Sequence, residues 1–325
     1  MLQIGSAVLP HGLLLSPLAG FTDHAMRTVC YECGAEYSVS EMVSAKAVCY
    51  GDRKTPLLAR IYPSDGPTAI QLFGREPQYM AQAAARLYEQ CTAWGTLPVA
   101  FDINMGCPMP KIVNNGEGSA LMREPALVEK LVAAVAAATP LPVTVKIRTG
   151  WDSEHKNAPE VARAAEAGGA VAICVHGRTR TQMYSGEVDL AAIALVKAAV
   201  SIPVIGNGDV TDVASARRLL SETECDGIAV GRGAVGDPFL FARIAAALTG
   251  ENFREPSGEE CYAAALRQLS LRIAEKGEES GVLESRKQMA SFLRGFPRAA
   301  AARAAIYTAK TEAEMKEHLS VLLAK

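Results

Sequence analysis

Along the first three quarters of the chain, short apolar runs ending in polar or glycine residues alternate with longer alanine-rich stretches of helical periodicity. The runs at 13–19, 36–42, 68–73, 100–105, 143–148, 170–176, 203–207 and 227–231 read as strands. Between them, the clearest helical patterns span 77–91, 125–138, 158–167, 190–199 and 212–220, and 23–33 also reads as a helix. Pro77 and Pro125 suit the first helical position, where the missing amide hydrogen has no partner to lose, and Asp212 suits an N-cap. Gly95 and the pair Gly168-Gly169 read as stops, because glycine readily adopts the left-handed backbone that ends a helix.

Eight strand-then-helix units by residue 249 predict an α/β fold of the (β/α)8 TIM-barrel type. A doubly wound sheet shares the alternation, but Pro17-Leu18-Ala19-Gly20 follows the first strand where that fold needs a G-x-G-x-x-G turn. Composition shifts at Thr249-Gly250-Glu251 and again at Pro256-Ser257-Gly258, after which strand signals cease. The expected organisation is a catalytic barrel over 1–249 followed by a smaller C-terminal helical domain over 250–325.

The composition narrows the classes further. With 325 residues, 49% of them hydrophobic and 21% charged, the chain can build a large core and is not a disordered polymer. A formal net charge of −2 excludes a polybasic coat for nucleic acid. No apolar run approaches the ~18 residues needed to span a bilayer. The N-terminal stretch has no basic segment and is interrupted at Pro10, so neither a membrane association nor a secretory signal is expected. The eight cysteines are dispersed, which suits a reducing cytoplasm. Cys30-x-x-Cys33 lacks the second pair of a zinc site and reads as two ordinary thiols.

In a barrel enzyme, the chemistry collects at the C-terminal ends of the strands. Those ends hold Ser40-Glu41-Met42, Gln71, Asn104 to Pro108, Lys146-Ile147-Arg148, His176-Gly177-Arg178, Asn207-Gly208-Asp209 and Gly231-Arg232-Gly233. The glycine-bearing loops after the seventh and eighth strands let a backbone approach an anion, and Arg232 adds charge, which marks a phosphate site. Cys107 lies in a Gly-Cys-Pro turn, where a thiol near its ordinary pKa of about 8.5 can donate a proton at neutral pH. Lys146 suits a Schiff base, a cofactor anchor or a surface lysine, and His176 suits a carbonyl, a phosphate or a structural bond. These two residues alone do not choose a reaction.

Taken together, the stretches Ser16 to Asp23, Ser40-Glu41-Met42, Ala69 to Gly74, Asp102 to Pro108, Lys146 to Trp151, His176 to Arg180 and Asn207-Gly208-Asp209 resemble the tRNA-dihydrouridine synthases, most closely the bacterial B-type members. They follow the order found in that family. The resemblance implies an FMN-dependent reduction of the C5=C6 bond of a D-loop uridine in tRNA, with NADPH or NADH as electron source. Hydride would pass from the flavin N5 to C6, and Cys107 would protonate C5. On matching positions, Pro17, Leu18, Ala19, Gln71, Lys146 and His176 would hold the flavin, and Asn207, Gly208, Asp209, Gly231 and Arg232 its phosphate. Asn104, Arg148 and Arg178 would face the substrate.

From 286 to 310 the chain carries Arg286, Lys287, Arg294, Arg298, Arg303 and Lys310 with no acidic residue, whereas 251–285 holds eight glutamates against four basic residues. A basic face of this kind is a phosphate-binding footprint. Ser285-Arg286-Lys287 and Phe292 to Pro297 resemble the family's tRNA-binding helical motif, which adds Arg286 and Lys287 to the expected substrate contacts. Gln288 stands where relatives usually carry histidine, Ser291 where an aromatic is common, and Glu117 where a small residue is usual. Neither a metal nor an obligatory protein partner is expected, and a monomer is. The rival readings are an FMN barrel acting on a free pyrimidine, a lyase using Lys146, and an inactive RNA-binding protein on the same scaffold.

Overall fold

The computed structural model describes residues 1–297 and 299–324, and in it eight parallel strands close into a barrel. Arg298, counted in the expected basic face, lies outside the described residues. A short antiparallel hairpin comes first, with β1 at Leu2–Ile4 and β2 at Ala7–Leu9. The barrel strands are β3 (Leu13–Leu15), β4 (Tyr37–Ser44), β5 (Thr68–Phe73), β6 (Ala100–Met105), β7 (Val143–Arg148), β8 (Ala170–His176), β9 (Val204–Asn207) and β10 (Gly227–Val230). Each pairs with the next in sequence, and β10 closes the ring on β3 through Ile228 opposite Leu13 and Val230 opposite Leu15.

The expected strands are all present, with altered ends. β3 stops at Leu15, two residues before Pro17, whose lack of an amide hydrogen ends pairing. β4 runs on to Ser44 through an irregularity between Val39 and Met42, where the Ser40 hydroxyl takes the Gln71 amide at 3.0 Å. The β1–β2 hairpin was not expected, because strands of three residues are too short to show a period. It plugs the N-terminal end of the barrel. Leu2, Ile4 and Leu9 pack there with Ala69, Ala100, Ala172 and Ala229, small residues that leave room inside the ring.

Around the barrel lie α1 (His24–Glu32), α2 (Ala45–Cys49), α3 (Pro77–Trp94), α4 (Pro110–Val113), α5 (Pro125–Ala138), α6 (Ala158–Ala167), α7 (Leu190–Ala199), α8 (Val213–Thr223) and α9 (Leu240–Thr249). Pro77 and Pro125 open their helices, Asp212 caps α8 through the Ser215 amide, and Gly95 ends α3 in the left-handed conformation. The outer faces of the strands and the inner faces of these helices form the main core, from Leu13 to Ile244. Cys30 is buried within α1 and Cys33 caps it, and no group of three or more potential metal ligands occurs among the described residues.

The C-terminal region is helical: α10 (Gly258–Lys276), α11 (Glu278–Phe292), α12 (Ala299–Ile306) and α13 (Glu312–Leu319). Ser257 and Glu260 form a capping box at the start of α10. The apolar stripes of these helices meet in a separate cluster that includes Leu269, Val282, Met289, Ile306 and Met315. This bundle docks on the barrel beside α1. The buried Arg272 guanidinium donates to Asp23 at 2.6 Å, and Gln288 donates to the Phe21 carbonyl at 3.1 Å. Gln288, which stands in place of a histidine, is therefore a buried joint between the two regions.

Candidate active site

The C-terminal mouth of the barrel opens into a cleft of about 1400 Å³, walled on one side by the loops after the strands and on the other by the helical region. Pro17, Leu18, Ala19, Gln71, Asn104, Cys107, Lys146, Arg148, His176, Asn207, Gly208, Asp209, Gly231, Arg232 and Lys287 all line it. Thus β3, β5, β6, β7, β8, β9, β10 and α11 each deliver expected residues to one space. Parallel strands of a closed ring end on one rim, so residues far apart in sequence converge there.

A chain of buried hydrogen bonds organises the β6 end. Asp102 and Asn104, two apart on the strand, point into the barrel together. Asp102 accepts from Thr144 at 2.6 Å and from Gln71 at 2.7 Å. With its amide nitrogen so used, Gln71 presents its oxygen to Asn104, which donates at 2.8 Å. Asn104 then turns its own oxygen to the amides of Gly106 and Cys107, at 3.2 and 2.9 Å. The cysteine turn is also held from outside: Arg148 donates to the Gly106 carbonyl at 2.6 Å, and Ser119 to the Cys107 carbonyl at 2.9 Å. Burial pushes the Cys107 thiol up, against the weaker opposing pull of the Met109 amide and Arg148. It is therefore a protonated thiol at neutral pH.

On the neighbouring strands, Lys146 donates to the Asn207 oxygen at 2.9 Å, and Asn207 donates to the Ala229 carbonyl at 2.7 Å. Burial pushes the Lys146 ammonium down, with repulsion from Arg148 adding to it and Cys174 and Asp102 opposing. Burial likewise pushes the His176 imidazole well down, and Lys146, Arg148, Arg178 and Arg232 reinforce the effect, so the ring is neutral. Arg148 is itself lowered to about 10, chiefly by burial. It stays charged at neutral pH.

Two expected substrate contacts are placed elsewhere. Arg178 is buried and does not line the cleft; its guanidinium donates to the carbonyls of Ser185 and Gly186 and to both oxygens of Asp209. It holds the loop after β8 and the Asp209 carboxylate. Arg286 lies outside the cleft lining and is tied through Nε to the Ala309 carbonyl at 2.9 Å, so it fastens α11 to the segment after α12. Arg148 does line the cleft, but its Nε and Nη1 are spent on the carbonyls of Gly106, Thr179 and Met183.

Other residues of the site escaped assignment from the sequence. Asp102, buried beneath the cleft, had a signal, an acidic residue at the buried phase of an apolar strand two places before Asn104. Tyr184 and Tyr307 had none, because aromatic residues in loops and helix ends look alike until the chain is folded, whereas Phe296 belongs to the stretch Phe292 to Pro297 already singled out.

The family described as dihydrouridine synthase (Dus) matches residues 14–325. This chain belongs to the dihydrouridine synthase family. It is 42% identical to tRNA-dihydrouridine synthase B of Pseudomonas putida over 90% of its own length and 85% of that protein. Against the protein of the same name from Pseudomonas aeruginosa, the identity is 40%, covering 91% of this chain and 88% of the relative. A probable tRNA-dihydrouridine synthase of Rhodobacter capsulatus is 43% identical, covering 85% and 87% respectively. Among solved structures, a morphinone reductase variant in complex with tetrahydroNAD superposes with a TM-score of 0.52 at 13% identity, covering 80% of this chain and 92% of that one. That likeness concerns the barrel fold alone. Within the dihydrouridine synthase chain, Glu117 is buried in the loop behind Cys107, where burial pushes its carboxyl up and the nearby Lys46 opposes the shift.

Proposed function

We propose that this dihydrouridine synthase reduces the C5=C6 bond of a D-loop uridine in tRNA to 5,6-dihydrouridine, with bound FMN and with NADPH or NADH as the reductant. The observation that carries the reading is a protonated Cys107 thiol, on a backbone turn held by Asn104 and Arg148, sharing one cleft with Lys146, His176 and a glycine-lined anion cradle. Residues 1–249 would form the catalytic unit and 250–325 the unit that helps seat the tRNA.

The cleft suits FMN on its own chemistry. Gly208, at φ +139°, occupies backbone space that side chains rarely reach, and a Cβ there would stand 2.7 Å from Val188. Gly231 caps the short turn Arg232–Ala234, whose start has no side-chain cap. Asp209 would repel a phosphate, but Arg178 and Arg232 both bond to it, so the cluster keeps a net positive charge. Pro17, Leu18 and Ala19 offer an apolar wall for a flat ring, and Lys146, with the second hydrogen of the Gln71 amide, offers donors for its polar edge. When bound, the flavin would supply the hydride for C6 of uracil.

The chain's own residues do the rest. Cys107 donates the proton to C5, and burial keeps that proton on the sulfur until it is needed. Lys146, fixed by Asn207, supplies a positive charge where negative charge accumulates on the reduced ring. Asn104 is locked in one amide orientation, and its second hydrogen, which rests on the Met42 sulfur at 3.8 Å, would turn to the stronger acceptor of a uracil carbonyl. A base inside folded tRNA must leave its stack to reach this depth, and a wide cleft flanked by Lys287 and Arg294 accommodates that. No described helix is long and apolar enough to cross a membrane, and a tRNA substrate suits the cytoplasm.

The test is nucleoside mass spectrometry on unmodified tRNA incubated with protein, FMN and NADPH. A uridine gaining two hydrogens is the expected product. Bound, reducible flavin with no such gain would redirect the reading to a free pyrimidine.

A further inference from the structure

The helical region meets the barrel beside the loops after β3 and β10, through Phe21, Asp23 and the turn at Gly236 against Ser291. In the strand order of the ring, β6 and β7 lie across the mouth from that junction. The loops there carry a cluster that the catalytic reading leaves unused. Arg123 follows β6, Trp151 follows β7 and Arg180 follows β8. Both guanidiniums stand over the Trp151 ring, at 4.9 Å and 4.8 Å from its centroid.

Two like charges held at one indole normally bring an acidic partner with them. Here neither Arg123 nor Arg180 makes an ion pair or a side-chain hydrogen bond among the described residues, and the Arg180 Nε is buried with no acceptor. The nearby acids are otherwise engaged: Glu124 is bound by Arg75, and Asp152 by His155. Glu154 pairs with neither arginine. Arg123 is exposed, and Trp151 and Arg180 are half-buried. The backbone beneath is firm, since Arg180 donates to the Gly150 carbonyl at 2.9 Å and Arg148 holds Thr179.

We propose that Arg123, Trp151 and Arg180 form a phosphate-binding platform for tRNA on the barrel rim opposite the helical region, so that the RNA is gripped from both sides of the cleft. The ring keeps the two guanidinium planes ordered without neutralising them, and forked donors on a rigid stack fit the oxygens of a nucleic-acid backbone. A flat indole between them also offers a stacking face to a neighbouring base. This inference rests on tRNA being the substrate, and it names a contact that neither the catalytic residues nor the helical region provides.

The experiment measures tRNA affinity of the flavin-loaded enzyme over a series of salt concentrations, for the unaltered chain, Arg123→Glu and Arg123→Lys, alongside NADPH oxidation without tRNA. Arg123 is exposed, so its replacement leaves the fold and NADPH oxidation intact. The expected result is about tenfold weaker binding for Arg123→Glu, with the slope of log affinity against log salt reduced by about one. Arg123→Lys should keep most of the slope, because it keeps the charge. Unchanged affinity and slope in Arg123→Glu, with the unaltered chain binding and modifying tRNA normally, would overturn the platform alone. Tight, salt-dependent binding weakened by Arg123→Glu, without dihydrouridine formation, would support the platform and sink the enzymatic reading instead.

Discussion

At the residue scale, the proposed proton donor, Cys107, is a thiol that burial keeps in the acid form. Replacing it should leave the cofactor site intact, because Cys107 is anchored to the site through its backbone. Cys107→Ala is therefore expected to bind flavin normally and to lose about 10²–10⁴-fold in turnover, the usual worth of a positioned general acid; mass-spectrometric rates on tRNA check this. Asp102 acts one step further back. Its carboxylate accepts from both Thr144 and Gln71 and so decides which way the Gln71 and Asn104 amides face. Asp102→Asn still offers Gln71 an oxygen, with its nitrogen toward the Thr144 hydroxyl, and should retain most of the stability. Asp102→Ala strands two buried polar groups at about 1–3 kcal/mol each, and frees the amides to turn. Its kcat should fall more than its affinity for tRNA, and calorimetry should show a lower Tm.

At the element scale, the hairpin and the α1–α10 joint carry testable weight. Leu9 is fully buried at the plugged end of the barrel, so Leu9→Ala should cost about 2–5 kcal/mol in urea unfolding while leaving the distant cleft unchanged. The joint is electrostatic. Burial alone would raise the Asp23 carboxyl, but the hydrogen bond and charge of Arg272, with the Met26 amide and Arg27, hold it below the usual range. A carboxyl lowered in the folded state gives stability that is present above its unfolded pKa, about 3.9, and is lost as pH falls through the lower folded value. Unfolding measured from pH 7 down to 3 should show this loss beginning near pH 4. Asp23→Asn should flatten that part of the profile and, by leaving Arg272 buried without its counter-ion, cost about 3–5 kcal/mol at neutral pH.

At the scale of the whole molecule, a formally near-neutral chain presents positive groups on both sides of one cleft. Lys287 and Arg294 line the helical wall, while Arg123 and Arg180 stand across the barrel mouth. Charge reversals on the two sides share no partner, so their effects on log affinity should add. Lys287→Glu combined with Arg123→Glu is expected to weaken tRNA binding by about 100-fold at low salt, the product of two roughly tenfold losses, and by much less at high salt. An antagonistic double variant, measured by filter binding, would mean that the two sides do not hold the same RNA at once.

The alternation of strand and helix, the proline and aspartate starts and the glycine stops were legible in the chain because each is a local rule, obeyed within a few residues. The polar strand ends were legible too, since a closed parallel barrel gathers every such end on one rim. What only the tertiary structure decided was the use of each charge. Arg178 and Arg286 looked like substrate contacts, yet Arg178 is bound to Asp209, and Arg286 is turned from the cleft with its Nε on the Ala309 carbonyl. Arg123 drew no notice and Arg180 entered only as the end of the stretch His176 to Arg180, yet both stand beside one indole and, among the described residues, neither makes an ion pair. Sequence records that a charge is present; whether it is free to meet a ligand depends on which acceptors the folded chain brings within about 3 Å of it.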